Sequence, residues 1–143
     1  MIRLATAAAA LLLTAAPALA QTADNKVVLT FETGARTGMV MVALYDTAAS
    51  FNGSGAGDRA VAQTAISASG RVVATFDNLP AGDYAVKAFH DVNGDGQMNT
   101  NTFGMPTEPY AFSNNAVGNM GPARWDRAHF AVSGETAQTI SIR

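Results

Sequence analysis

The chain contains no cysteine among its 143 residues. Disulfides and thiolate metal sites are therefore excluded, and stability must come from an apolar core. Charged residues are also few, at 14 %, with nine Lys and Arg against eleven Asp and Glu. Because the basic residues are scattered, they give nucleic acid or an anionic lipid surface no patch to bind, and we expect neither as a partner.

Long apolar runs are missing too, except for one at the N-terminus. Arg3 precedes an apolar stretch that begins at Leu4, and small residues close the segment at Ala20. This order predicts a secretory signal peptide, residues 1–20, cleaved after Ala20. The run is shorter than the roughly 20 apolar residues that a membrane helix needs, so we expect no membrane insertion of the mature chain.

The remaining residues, 21–143, suit a single domain that is large enough to bury its own core. Apolar residues alternate with polar ones in several segments, which is the period-two pattern of β-strands. The segments that begin at Val27 and Met39 flank Gly-Ala-Arg-Thr-Gly and predict a hairpin. A second hairpin is predicted at residues 72–88, around a turn with Pro and Gly. For residues 59–68 a weak strand is favoured over a short helix.

About seven strands without a long helix predict an all-β fold, a single antiparallel β-sandwich of Ig-like type. One long loop, residues 99–125, lacks periodicity and is broken by prolines and glycines. Loops of this length are usually functional or disordered, and disordered segments are poor in aromatic residues. Because this loop is rich in aromatic residues, we expect it to be ordered and folded onto the domain.

The sharpest motif is Asp-Val-Asn-Gly-Asp-Gly-Gln-Met-Asn, residues 91–99, where a predicted strand ends. Oxygen-bearing side chains at positions 1, 3, 5 and 9, with glycine at 6, match the first three quarters of an EF-hand calcium loop. Oxygen ligands of this kind favour Ca²⁺ over a transition metal. The candidate ligands are Asp91, Asn93, Asp95, Gln97, Asn99 and, from the long loop, Glu108.

An alternative without an ion stays open for this motif. Its twelfth position is Thr102, where a calcium loop has a bidentate glutamate, and no helices flank it. The Asp and Asn side chains would then cap a tight turn through their own backbone. If calcium does bind, the affinity is expected to be weak, about 10⁻⁴ to 10⁻³ M.

A second candidate site is a surface of aromatic rings and amides within residues 103–125. Such side chains together recognise glycans and peptides. The alternative is that the rings close a small satellite core beneath the loop. The candidate residues are Tyr110, Phe112, Asn114, Asn115 and Trp125.

Catalysis is the least favoured function. A zinc site from His90, Asp91 and His129 lacks the tight ligand spacing of zinc motifs. No Gly-x-Ser-x-Gly motif and no phosphate-binding glycine loop occurs. A hydrolase or metalloenzyme is therefore a minor hypothesis, no catalytic residue is expected, and Ca²⁺ is the one cofactor considered.

The segment from Leu79 to Ala116 resembles the core signature of a bacterial family of exported domains, the domain of unknown function 2141. The resemblance implies a periplasmic or secreted protein of Gram-negative envelopes without an established activity. In that family the position of Asn99 is more often aspartate, which implies a weaker ion site here. The second hairpin is also similar to those of prealbumin-like sandwiches. The matching residues are His90, Asp91, Phe103–Pro106, Glu108 and Phe112–Asn115.

We therefore expect a non-catalytic exported domain whose loop 91–99 is a structural or interaction element. The alternative is a carbohydrate- or peptide-binding module that uses the aromatic loop, residues 103–125. The sequence does not identify a partner, and an envelope protein, a peptide and a glycan each fit.

Overall fold

The computed structural model describes residues 24–53 and 59–143, and the predicted signal peptide lies outside them. The all-β class is confirmed, because strands dominate and the helices are single turns. Within the described ranges, no helix is long and apolar enough to cross a membrane. The elements are β1 (Asn25–Tyr45), α1 (Ala48–Asn52), β2 (Ala62–Leu79), β3 (Gly82–Asp91), β4 (Tyr110–Phe112), a 3₁₀ turn (Ser113–Asn115), α2 (Trp125–Ala128), β5 (Phe130–Val132) and β6 (Glu135–Ser141).

Strand β1 organises the sheet. Antiparallel β2 runs along one edge of it, from Asn25 to Leu44. Its other edge holds parallel β6 at residues 26–32 and antiparallel β3 at residues 39–45. The two partners occupy separate segments of that edge, and between these segments, from Glu32 to Thr37, the register of the β1–β2 ladder shifts.

The predicted first hairpin is wrong, because its two segments are halves of β1. The glycines that suggested a turn, Gly34 and Gly38, have φ of 69° and 126° and bend the strand without reversing it. A β-bulge absorbs such residues without ending the ladder. The strand favoured for residues 59–68 is confirmed, since β2 begins at Ala62.

The predicted second hairpin is also wrong in its pairing. Both of its strands exist, as β2 and β3, but β1 lies between them in the sheet. The Pro-Gly segment therefore carries the chain across β1. The Tyr84 hydroxyl donates a hydrogen bond to the Pro80 carbonyl at 2.8 Å, which holds this connection on the start of β3.

The Ig-like sandwich of about seven antiparallel strands is not confirmed. The described residues form six strands of one sheet, which includes a parallel pair and nearly closes into a barrel. Near the closure, Asn115 Nδ2 donates to the Thr139 carbonyl at 3.0 Å and its Oδ1 accepts from the Ser141 amide at 2.9 Å. Asn114 also contacts β6, because its backbone amide donates a hydrogen bond to Gln138 Oε1 at 2.8 Å. We call Asn114 and Asn115 the asparagine clasp.

The apolar residues form two clusters on opposite faces of β1 and β3. Inward residues such as Leu29, Phe31 and Leu44 fill the main core enclosed by the sheet. The alternate residues Tyr45 and Ala85 point outward and start a second core. Its remaining buried members come from α1, the β4 end and the α2 region: Phe51, Phe112, Ala123 and Ala128.

Asn115→Ala is expected to lower the free energy of unfolding by about 1–3 kcal/mol. The substitution removes two hydrogen bonds to β6 and places alanine at a φ of 49°. Urea unfolding followed by circular dichroism measures the change. Asn119→Ala, an exposed asparagine in the same segment, serves as the matched control. Equal stability of the two variants would show that the clasp does not hold the barrel closed.

Candidate functional site

The loop from the end of β3 to the start of β4 begins with a buried carboxylate. Asp91 is only 1 % exposed. Its Oδ1 accepts hydrogen bonds from the amides of Gly94 at 2.7 Å and Asp95 at 3.2 Å, and its Oδ2 accepts from Gly96 at 2.7 Å. Asp91 therefore folds residues 91–96 around its own side chain, as an Asp-led turn does. Gly94 and Gly96 have φ of 76° and 78°, which glycine adopts without strain.

Glu108 fixes the two ends of this turn to each other. Its buried carboxylate accepts from the Val92 amide at 2.9 Å and from the Asn99 amide at 3.1 Å. The Thr107 amide adds a backbone hydrogen bond to the Asn99 carbonyl at 2.9 Å. The sequence pairs Glu108 with the loop as a cation ligand, and the structure places it there as an acceptor of backbone hydrogen bonds.

The side chains of three predicted calcium ligands form hydrogen bonds with one another. Asn93 Nδ2 donates to Asp95 Oδ2 and to Asn99 Oδ1, both at 3.0 Å, and Asn99 Nδ2 donates to Asp95 Oδ2 at 2.9 Å. Hydrogen bonds from Asn99, from the Gln97 amide and from Asn93 lower the pKa of the Asp95 carboxyl below its ordinary 3.8. We call Asn93, Asp95 and Asn99 the polar cluster.

The side chains of the other three predicted ligands take no part in the side-chain hydrogen bonds of this cluster. Asp91 and Glu108 direct their oxygens to backbone amides, and the exposed Gln97 joins through its own amide, which donates to Asp95 Oδ1 at 2.8 Å. In the part of the chain that the structure describes, no three His, Asp or Glu residues group as metal ligands.

The two histidines occupy different environments. His90 is 1 % exposed, with Nε2 3.0 Å from the Thr37 carbonyl, while its Nδ1 has no hydrogen-bond partner among the described residues. His129 is exposed and stacks on Trp125, with ring centroids 5.6 Å apart. Among the described residues, His90, Asp91 and His129 are therefore not brought together as a three-ligand group.

The predicted aromatic surface is divided between several roles. Phe112 is buried in the second core, and Trp125 packs against that core with its ring centroid 6.0 Å from that of Phe51. The amides of Asn114 and Asn115 serve the asparagine clasp. Tyr110 is exposed and packs its ring edge-to-face on Phe112 at 5.8 Å.

The segment Asn101–Met105, which we call the loop tip, holds none of the individually predicted site residues, although residues 103–105 lie within the aromatic loop 103–125 that was predicted as an alternative binding surface. Asn101 Oδ1 accepts from the amides of Phe103 at 2.9 Å and Met105 at 3.0 Å, and the Gly104 amide donates to the Asn101 carbonyl at 3.0 Å. The backbone is thus fixed while Phe103 remains 87 % and Met105 62 % exposed. A sequence signal existed, because apolar residues beside Asn, Gly and Pro in an uncharged segment are typical of an exposed turn.

These features define a class: an all-β domain whose β3–β4 loop is held by its own buried carboxylates. Residues 31–141 match the family described as "Uncharacterized protein conserved in bacteria (DUF2141)". The match covers more than half of the chain, so the protein belongs to this family, and the resemblance drawn from the sequence is confirmed. No curated protein and no solved structure matches the chain.

Asp91→Ala is expected to lower the free energy of unfolding by about 2–4 kcal/mol, in chelator and in calcium alike. The reason is that three backbone N–H groups lose their acceptor. Chemical unfolding in both buffers measures the loss. Asp83→Ala, which removes an exposed carboxylate from the same strand, is the control and should change little. A loss of stability that is seen only in calcium buffer would instead indicate that Asp91 is an ion ligand.

Proposed function

We propose that this protein is a non-catalytic exported domain that binds an envelope protein or peptide through the loop tip. The observation that carries the proposal is the exposure of Phe103, 87 %, on a backbone fixed by the Asn101 side chain. A large apolar ring held in water is unfavourable unless a partner covers it. Because the loop is already ordered, little conformational entropy is lost when a partner binds.

The charge distribution supports an apolar contact. Between Asp95 and Arg124 the one charged residue is Glu108, which is buried and hydrogen-bonded to the loop backbone. The segment therefore presents no charge to solvent, although it holds five of the eight large exposed apolar residues of the described chain. Aromatic residues and methionine are enriched at protein interfaces, where charged residues are depleted. The five are Phe103, Met105, Tyr110, Val117 and Met120.

A protein or peptide is favoured over a glycan because few aromatic faces are open. Glycan binding needs a flat ring face together with polar side chains. Phe112 is buried, one face of Trp125 is covered by His129, and the clasp amides are engaged with β6. Phe103 and Met105 instead offer a protruding apolar anchor, which fits a pocket on a partner.

The non-catalytic part of the proposal is supported by the state of the polar residues. The Asp91 and Glu108 carboxylates accept hydrogen bonds from the backbone, and the His90 ring is buried. Acid–base catalysis requires such groups within reach of a substrate. Here they stabilise the loop instead.

A photoreactive phenylalanine analogue placed at Phe103 is expected to cross-link to a discrete partner in the cell that exports the protein. The matched control is the same analogue at Val73, an apolar residue of β2 that is 53 % exposed. When the analogue is placed at position 105 instead, a second substitution, Phe103→Ser, should abolish the cross-linked product. It should not lower the melting temperature, because both side chains protrude into solvent. Equal products from positions 103 and 73, or none, would contradict the loop tip as the binding element.

Calcium binding is a second candidate, and the convergence of the polar cluster favours it. The side-chain amide of an asparagine can flip, which exchanges the positions of its nitrogen and oxygen. Asn93 and Asn99 would then direct oxygens towards a cation beside the Asp95 carboxylate. Three such side chains with one charge form a smaller ligand set than the six predicted, which agrees with affinity no tighter than about 10⁻⁴ to 10⁻³ M.

Calcium at about 10 mM is expected to raise the melting temperature by a few degrees relative to chelator, since an ion that binds the folded state stabilises it. Asp95→Asn should abolish this increase, because it removes the cluster's one carboxylate. Magnesium and the Asp83→Asn variant are the controls. An increase that persists in Asp95→Asn, or no increase in the unmodified protein, would falsify calcium binding at the polar cluster.

A further inference from the structure

Strand β2 has one edge without a partner strand. Among the residues that the structure describes, β2 pairs with β1 alone and stands at the end of the strand order. It is long for an edge strand, at 18 residues, and the free N–H and C=O groups of such an edge can pair with another strand. Proteins often protect an edge with lysine, proline or a short strand, yet residues 62–79 contain neither lysine nor proline. The edge of β2 is therefore open to pairing with another chain.

Residues 71–77, which we call the β2 edge segment, are regular and apolar on both faces. Their ladder with β1 continues without a register shift from Arg71 to Phe76. Val73 of the outer face is 53 % exposed, and Val72 of the inner face is only partly buried against the main core. A strand added at this edge would bury apolar surface of both side chains, which favours association.

Charged side chains of alternating sign lie across the outer face at this end of the sheet. Arg71 Nη2 donates to Glu32 Oε1 at 2.7 Å on the neighbouring strand. The hydrogen bond and the charge of Glu135 raise the pKa of Lys26 above its ordinary 10.5, and the nearby charge of Asp77 raises it further. The β2 edge segment thus has a cation at its first residue and an anion at its last.

We infer that the β2 edge segment pairs antiparallel with the same segment of a second copy of this chain, so that two domains share a continuous sheet. With residue 74 opposite itself, Arg71 of each copy lies opposite Asp77 of the other, and Val73 lies opposite Thr75. Registers centred on residue 71 or 77 place like charges opposite each other, which is unfavourable. The charges select the register, and the backbone hydrogen bonds and apolar contacts supply most of the affinity.

A second copy is favoured over a different partner because the segment is complementary to itself. A twofold interface uses the same patch on both chains, so each residue must suit the residue across the axis. The opposite charges meet this condition twice in each dimer, and on the inner face Val72 of one copy lies opposite Phe76 of the other. The Arg71 guanidinium has five N–H donors, so it can contact Asp77 of the other copy while it keeps its hydrogen bond to Glu32.

Exchanging charges between copies tests this pairing. Arg71→Asp and Asp77→Arg each place like charges opposite each other twice, so each variant alone should dimerise at least about tenfold more weakly than the unmodified protein in sedimentation equilibrium. An equimolar mixture of the two variants restores two pairs of opposite charge and should form a heterodimer. Asp83→Arg makes the same change of charge at an exposed residue of β3 and should leave dimerisation unchanged. Both test residues are exposed, so the variants should fold, which their melting temperatures verify.

A spin label tests the register. Because the chain has no cysteine, a nitroxide on Thr75→Cys is the one label of each copy. In the inferred register the two labelled Cα atoms lie about 8 Å apart, which should broaden the electron paramagnetic resonance spectrum. Ser67→Cys, at an exposed residue of β2 outside the β2 edge segment, is the control and should show no broadening.

Four results would contradict the proposal. The unmodified protein could remain monomeric up to about 1 mM, or Asp77→Arg could dimerise as well as Asp83→Arg. Broadening at Ser67→Cys without broadening at Thr75→Cys would exclude the register. The photoreactive analogue at Val73 should join two copies of this chain, and a product with a different protein at that position would replace the second copy by another partner.

Discussion

The bend of β1 is the constraint on which both the fold and the site depend. It lies where the edge of β1 passes from β6, which pairs with residues 26–32, to β3, which pairs with residues 39–45. The bend also seats the end of β3: a Cβ on Gly38 would lie 2.3 Å from the Asp91 carbonyl oxygen, and His90 Nε2 approaches the Thr37 carbonyl at 3.0 Å. A side chain at Gly38 would displace the residue from which the whole β3–β4 loop is folded. The pairing of β1 and the position of the loop thus both depend on the same segment of the sequence, Glu32 to Gly38.

Beyond that bend, side chains take the place of backbone pairing wherever regular structure ends. Asp91 and Glu108 accept from loop amides, and Ser113 links two segments, since its Oγ accepts from the Val86 amide at 2.8 Å and donates to the Ala128 carbonyl at 2.6 Å. Buried backbone groups need such partners, because an unsatisfied one costs about 1–3 kcal/mol. Many polar residues of the family signature in this chain therefore serve the fold. Because Glu108 is the one charged residue between Gly96 and Ala123 and is buried in this way, the surface of that segment is uncharged.

The sequence predicted strands well and their pairing poorly. Alternation of apolar residues depends on one buried face, so β2 and β3 are visible in the sequence as elements. Pairing depends on contacts between distant residues, such as Lys26 with Glu135 in the parallel β1–β6 ladder, and local pattern carries no information about them. The Gly-Ala-Arg-Thr-Gly segment shows the ambiguity directly, because glycines with positive φ serve bulges as readily as turns.

The same distinction explains the candidate sites. Spacing alone brought Asn93, Asp95 and Asn99 to a common point, and this grouping was predictable because it is local. A carboxylate can face solvent or accept hydrogen bonds from the backbone, depending on whether it is buried. The sequence does not indicate that Asp91 and Glu108 are buried.

Aromatic residues in an aperiodic loop carry the same uncertainty. Phe103 and Phe112 both lie in the family signature, yet one protrudes and the other fills the second core. The side chain of Phe112 is buried because β4 pairs with β3 beneath α1, whereas the Asn101 turn directs Phe103 away from any element. In the proposed function, recognition falls to residues that the folding of the loop does not use, those of the exposed loop tip.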